Sequence, residues 1–330
     1  MGGFQDLVQF VFAGITSGAI YALIALGFCV VHNTIGIVNF VQVDFVSLGG
    51  MFLFSGLFWS GLPMIVALPL AVVAVVVVGI AVERLGIRPS RSQNHLVLIF
   101  LTIGISITLR GLMKLVWGKN RMAIPPLIDD TPLRVAGAAI LPQAVAILLI
   151  TALAIAVLVL FFRFTRLGLA MRAVASNPTA AMVVGISVGR VKAASFALAG
   201  GLGGLAGVLV TPITTLSYDV GVLLGLKGFA AAILGGFGSF PGAILAVWAW
   251  GFWNRYPPAT GAVPTRTWRL SWCCCWCFSF DPRDCWENKM KEVRIQNTGA
   301  RKKWISLRSA DIFEIEPEAN PRFCILAPGL

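Results

Sequence analysis

Three polar side chains stand in an otherwise apolar stretch, Val38-Asn39-Phe40-Val41-Gln42-Val43-Asp44-Phe45. A carboxylate and two amides supply donors, acceptors and one charge inside an apolar segment. An ionisable residue within a membrane-length apolar segment is costly in lipid and marks a site by default. Two accounts stand for Asp44: it serves such a site, or it lies near the cytoplasmic end and snorkels or pairs with a basic neighbour. Asn39 and Gln42, three apart, are expected to share one interior-facing side of a helix. A second grouping runs from Arg163 to Lys192, with Arg163, Arg166, Arg172, Arg190 and Lys192 and no acid. At its centre, Asn177, Pro178, Ala180, Ala181 and Gly185 read as a polar cap, a first-turn proline and a short Ala-rich helix closed near glycine. Connector and docking handle are both open readings of that helix.

The elements that must hold these groups follow from composition. The chain has 330 residues, of which 58% are hydrophobic and 12% charged, about half the charge of a soluble domain. Residues 1–253 contain six acids against fourteen Lys and Arg. Such scarcity excludes a water-soluble globule, and the net charge of +12 does not argue for nucleic acid. The expected fold class is all-α, a polytopic helical bundle. Apolar segments fall at about 7–31, 36–58, 62–82, 95–117, 138–162, 193–213 and 222–250. Crossing a ~30 Å core takes ~20 helical residues, so most are long enough. Arg84, Arg88 and Arg91 place the loop 84–94 inside, and the 163–192 loop is inside as well. The N-terminus and the loops 118–137 and 214–221 then lie outside. Arg110 and Lys114, one turn apart near the outer end of their segment, are accounted for by snorkelling.

Glycines divide into two patterns. Gly200, Gly201, Gly203, Gly204 and Gly207 fall within one span, where small residues let helix backbones approach. Gly235, Gly236, Gly238 and Pro241 instead break a helix. Broken backbone at membrane depth must be buried in protein or line an aqueous cavity, the construction of transport sites. The site residues read from the sequence are therefore Asn39, Gln42, Asp44, Gly235, Gly236 and Gly238. No P-loop occurs, so ATP has no site on this chain. His32 and His95 stand apart, and Cys273, Cys274, Cys275 and Cys277 lack zinc spacing. No catalytic constellation, metal site or cofactor is expected.

With those stretches in view, the chain resembles the permease subunits of Liv-type branched-chain amino acid ABC importers over about residues 7–245. Gly14 to Gly27 is similar to that family's opening span. Asn39 to Phe45 is similar to its Asn-Phe-Ala-His/Gln-Gly-acid-aromatic stretch, with Val41 and Val43 in place of Ala and Gly. Arg172 to Pro178, Ala180-Ala181 and Gly185-Ile186 resemble its cytoplasmic coupling loop, and Leu226 to Gly242 its glycine-broken segment. The resemblance implies a multi-pass protein of the bacterial inner membrane that carries branched-chain or related small amino acids and is not itself an enzyme. It implies ATPase subunits that bind the ATP, with Arg172, Asn177, Ala180, Ala181 and Gly185 in the coupling loop. It also implies a second homologous permease and a periplasmic substrate-binding protein. An ion-coupled secondary transporter is the alternative, with Asp44 as its lone candidate carboxylate.

The tail departs from this pattern, so the chain divides into a permease domain, 1–245, and an aberrant stretch, 246–330. In the tail twelve basic and eight acidic residues accompany Trp272-Cys273-Cys274-Cys275-Trp276-Cys277. Joining the third base of each codon to the first two of the next turns that run into Val-Leu-Leu-Leu-Val. The following junctions permit Arg-Pro-x-Gly-Leu-Leu-Gly, which resembles the family's normal ending. The tail reads as a frameshift, and an inactive permease product is the corresponding expectation.

Overall fold

The computed structural model describes residues 3–90, 94–126, 133–135, 138–140 and 142–236. The tail 246–330 and Gly238 lie outside them. Among the described residues, six helices are long and apolar enough to cross a membrane, and with a shorter apolar helix they form an all-α membrane bundle. The chain order is α1 (Gly3–Ile35), α2 (Gln42–Phe54), α3 (Met64–Ala81), α4 (His95–Trp117), α5 (Pro142–Phe164), α6 (Arg166–Ser176), α7 (Pro178–Val183), α8 (Val188–Val210) and α9 (Val220–Leu234). α2 and α3 continue through π-helical turns, Ser55–Trp59 and Val82–Ile87. A two-stranded antiparallel ribbon, Leu133–Val135 with Ala138–Ile140, is added before α5.

The centre is α1, α2 and α8, with α3 and α9 packed against them. Glycine sets how closely these helices approach. A Cβ on Gly207 would run into the Val46 carbonyl oxygen of α2, and one on Gly49 into the backbone of Gly204. On the other face of α8, a Cβ on Gly200 would lie 2.9 Å from the Val75 oxygen of α3. The small-residue pattern thus serves backbone-to-backbone packing, the expected use of such spacing in a membrane.

One expected element is divided. The segment 36–58 reads as a continuous span, but α1 ends at Ile35, Gly36 takes φ 79°, and α2 begins only at Gln42. Between them Asn39 turns its side chain onto its own backbone, Oδ1 accepting from Val41 N–H at 3.1 Å. That local bond competes with helix continuation. Asn39 therefore lies in the link and shares no helical face with Gln42. Val41, between them, is as fully buried as Asn39 and Gln42.

The start of α2 is deep. Gly36 lies beside His95, the first residue of α4, while Phe40 N–H donates to Thr102 Oγ1 at 3.4 Å. Thr102 is seven residues into α4, roughly 10 Å along its axis at ~1.5 Å per residue. At the far end Trp59 stacks on Trp117, the last residue of α4, with centroids 6.0 Å apart. The link thus carries the chain into the bundle before α2 starts.

Candidate functional site

Asp44 sits in the first turn of α2, fully buried, and faces α4. Arg110 Nε donates to its Oδ1 at 2.8 Å, and the Ser106 hydroxyl donates to Oδ2. Arg110 also reaches the Ser106 oxygen at 2.5 Å through Nη2. The carboxylate is therefore charge-balanced and held on both oxygens, as a buried charge requires. Arg110, read as snorkelling outward, instead points at Asp44 with its side chain 31% exposed. Its reason is electrostatic: a buried carboxylate one helix away outcompetes the interface. Asp44 thus pairs with a base, and the partner is in another span.

Gln42 faces the opposite way. Its Nε2 donates to the Ala199 carbonyl of α8 at 3.2 Å, and the side chain fills the space left by Gly27 and Gly203. A Cβ on Gly27 would overlap the Gln42 amide, so α1 passes the α2 start only because that position is glycine. Gln42 Oε1 and Asn39 Nδ2 are buried with no hydrogen-bond partner among the described residues. Buried amide atoms without partners are costly and need an account.

The glycine break is present but elsewhere. α9 ends at Leu234, Gly235 caps it, and Gly236 takes φ 78°, a conformation that favours glycine. α9 runs inward past α2: Gly221 N–H bonds Ser47 Oγ at 2.9 Å, Gly225 packs on Val43, and Phe229 meets Phe40 with ring centroids 5.9 Å apart. Gly235 is six residues beyond Phe229, roughly 9 Å further along the axis. The break therefore falls beyond the start of α2 and is not brought to the level of Asp44.

The basic loop folds as two helices where one was expected. Thr165 caps α6, its hydroxyl accepting from Gly168 N–H at 3.0 Å. Asn177 both ends α6 and starts α7, with Oδ1 accepting from Ala180 N–H at 3.0 Å. Pro178 follows at the first turn, where its missing N–H costs nothing. α7 closes by paired bonds, Ile186 N–H to Ala181 oxygen at 2.9 Å and Gly185 N–H to Met182 oxygen at 3.0 Å. That is a Schellman closure with Gly185 in the left-handed region, φ 89°. Nothing lies within 4 Å of a Cβ built on Gly185, so within this chain its role is conformational. Arg172, Asn177 and Ala180 are exposed, whereas Ala181 turns inward at 5% exposure. The outward apolar surface is Met182, Val183 and Val184, which are 56%, 84% and 81% exposed. The sequence reading passed over these three.

It also passed over Thr102 and Ser106, which stand on α4 with Arg110. Their spacing of four puts them on one face of α4, a polar stripe in an apolar span. That stripe is the signal that pairs α4 with the Asn39–Asp44 segment.

Residues 10–270 match the family described as the branched-chain amino acid transport system permease component, a match that runs past Leu245. Among curated relatives, the high-affinity branched-chain amino acid transport system permease protein LivH of Escherichia coli K12 is 33% identical over 257 residues, 73% of this chain and 83% of that protein. LivH of Salmonella typhimurium is 31% identical over 255 residues with the same coverage. BraD of Pseudomonas aeruginosa is 32% identical over 254 residues, 73% of this chain and 81% of that protein. No solved structure matches. A multi-pass bundle with a divided second span, together with these likenesses along most of its length, places the chain: it belongs to the branched-chain amino acid transport permease family.

Proposed function

We propose that this chain is the permease subunit of an ABC importer that moves a branched-chain or related small amino acid across the bacterial inner membrane. ATP is hydrolysed on separate cytoplasmic ATPase subunits, a second homologous permease completes the membrane unit, and a periplasmic binding protein delivers cargo. The N-terminus lies outside, by the basic bias of the loops at 84–94 and 163–192. Asn39, Gln42 and Asp44 border the path. Relatives that are themselves named branched-chain amino acid permeases support the cargo class.

The observation that carries the coupling role is α7. It is a short helix, capped at both ends and set in a basic, acid-free loop, and its outer surface is Met182, Val183 and Val184. Exposed apolar side chains on a rigid, water-side helix suit a partner's groove. Val183→Asp is expected to lower leucine uptake at least tenfold and to abolish copurification with the ATPase, at unchanged membrane levels. Val183→Ala retains most uptake. Normal uptake by Val183→Asp overturns the coupling role of α7. Ala181→Trp is a poorer test, because buried Ala181 would disrupt the loop itself.

The ion-coupled alternative needs a carboxylate that exchanges its ion during the cycle. Asp44 is engaged by Arg110 and Ser106, which favours the ATP-driven reading. We also propose that 246–330 is translated out of frame; resequencing the gene around codon 245 decides it, and an intact frame refutes it.

A further inference from the structure

Glu83 is the one acid between Asp44 and Asp129. It stands in the π-helical turn that continues α3 and is 1% exposed. Its Oε2 is buried and takes no hydrogen bond among the described residues. Glu83 forms no ion pair among them either, in contrast to Asp44, which Arg110 meets at 2.8 Å. A buried carboxylate is stable only when paired and hydrogen-bonded. A bare oxygen is therefore a cost that another conformation can remove.

The register of α3 against α8 shows what faces it. A Cβ on Gly200 would meet the Val75 carbonyl oxygen, and one on Gly79 the Phe196 carbonyl oxygen. Each step of four along α3 is thus matched by a step of four back along α8, and residues four apart share a helix face. The next step sets Glu83 against Lys192, where the π-helical turn packs on α8. Arg88, Lys192 and Arg84 are the cations whose charge acts on Glu83. Arg84 and Arg88 are exposed and belong to the same end of α3, so they travel with Glu83. Lys192 is half-buried and belongs to the facing helix. Its distance from Glu83 changes whenever α8 shifts against α3.

α8 is also the helix on which α7 bears, and Lys192 stands only four residues into it from Val188. We propose that Glu83 and Lys192 form a make-and-break latch across the α3–α8 seam, in which the ammonium closes on the bare Glu83 oxygen in one transport state and leaves it in the other. The conformation described here is the open one. The pair supplies a contact that differs between states, which is what a nucleotide-driven shift of equilibrium requires. Both are positioning residues, acting on Gln42 through α8, whose Ala199 carbonyl holds the Gln42 amide. This rests on the coupling role of α7.

The decisive test leaves the pair unmodified. A zero-length carbodiimide joins a lysine to a carboxylate only on contact. The Glu83–Lys192 isopeptide is measured by mass spectrometry in membranes carrying the full chain and its ATPase, with and without ATP and vanadate. The yield is expected to differ between the two conditions by about fivefold or more. Leucine uptake falls in Glu83→Gln and in Lys192→Met, and Glu83→Lys combined with Lys192→Glu recovers more than half of it at matched membrane levels. No isopeptide in either condition, an equal yield in both, or a swap no better than the single variants overturns the latch. In those cases, loss of uptake in Val183→Asp leaves the α7 reading standing. If Val183→Asp keeps both normal uptake and the nucleotide response, latch and coupling role fall together.

Discussion

α5 and α8 are both 23 residues long, yet the membrane sorts them oppositely. α5 is the more apolar, mean hydropathy 3.2 against 1.8, and only 17% of its span is buried inside the bundle against 67% for α8. α5 contains no glycine between Pro142 and Phe164, while α8 contains six between Val188 and Val210. In water the more apolar helix would be the core. In lipid, tails are as apolar as leucine, so burial follows close backbone approach and polar pairing. Leu149, Leu153 and Val157 of α5 accordingly face outward, and Gly203, Gly204 and Gly207 of α8 face α2 and α3.

If polar pairing and backbone approach build the centre, breaking them should cost most. Asp44→Ala leaves Arg110 beside an empty place. Truncating one partner of a buried pair costs about 3–5 kcal/mol, and the partial exposure of Arg110 puts this case near the lower end. The unfolding midpoint in detergent should fall sharply, and Asp44→Leu with Arg110→Leu should recover much of it. A double variant no better than the single would show that the pair is not the cause.

Gly207→Val sharpens the comparison at α8. Its side chain would collide with the Val46 carbonyl, and overpacking costs about 1–3 kcal/mol. A lower midpoint and lost uptake are expected; an unchanged midpoint would mean that α2 and α8 do not touch there. The smallest effect belongs to α5. Leu153 is 64% exposed, and Leu153→Val should change stability by less than about 0.5 kcal/mol, the range of surface substitutions. A larger loss, measured the same way, would place α5 inside an interface.

Much of this was legible in the residues. Apolar run length gave the spans, and glycine spacing marked α8 as a packing helix. Asn177, Pro178 and Gly185 marked the short helix of the loop. The interruption at Gly36–Val41 was not legible, because Asn39 ends the helix through one side-chain bond inside an apolar run that hydropathy reads as continuous. Arg110 was misassigned because sequence position gives depth but not the neighbouring helix. Only the fold brings α4 against the start of α2. Gly185 was read as closing the short helix, and its positive φ is the backbone form of that ending. Ala180 and Ala181 look equivalent in sequence, yet helical phase sends one to water and the other inward.

Asn177 closes α6 and opens α7 with a single residue in extended backbone, φ −157° and ψ 105°. In mechanical terms the loop is a two-link crank with one joint. α7 rests on α6 and α8, and α6 in turn rests on α1, α5 and α8. A push on the tip at Val183 therefore reaches α1 through the second link as well as α8 directly. α1 and α8 are the two helices whose glycines, Gly27 and Gly203, enclose the Gln42 side chain. A displacement applied at the tip of α7 thus converges from two sides on the residue where α2 begins.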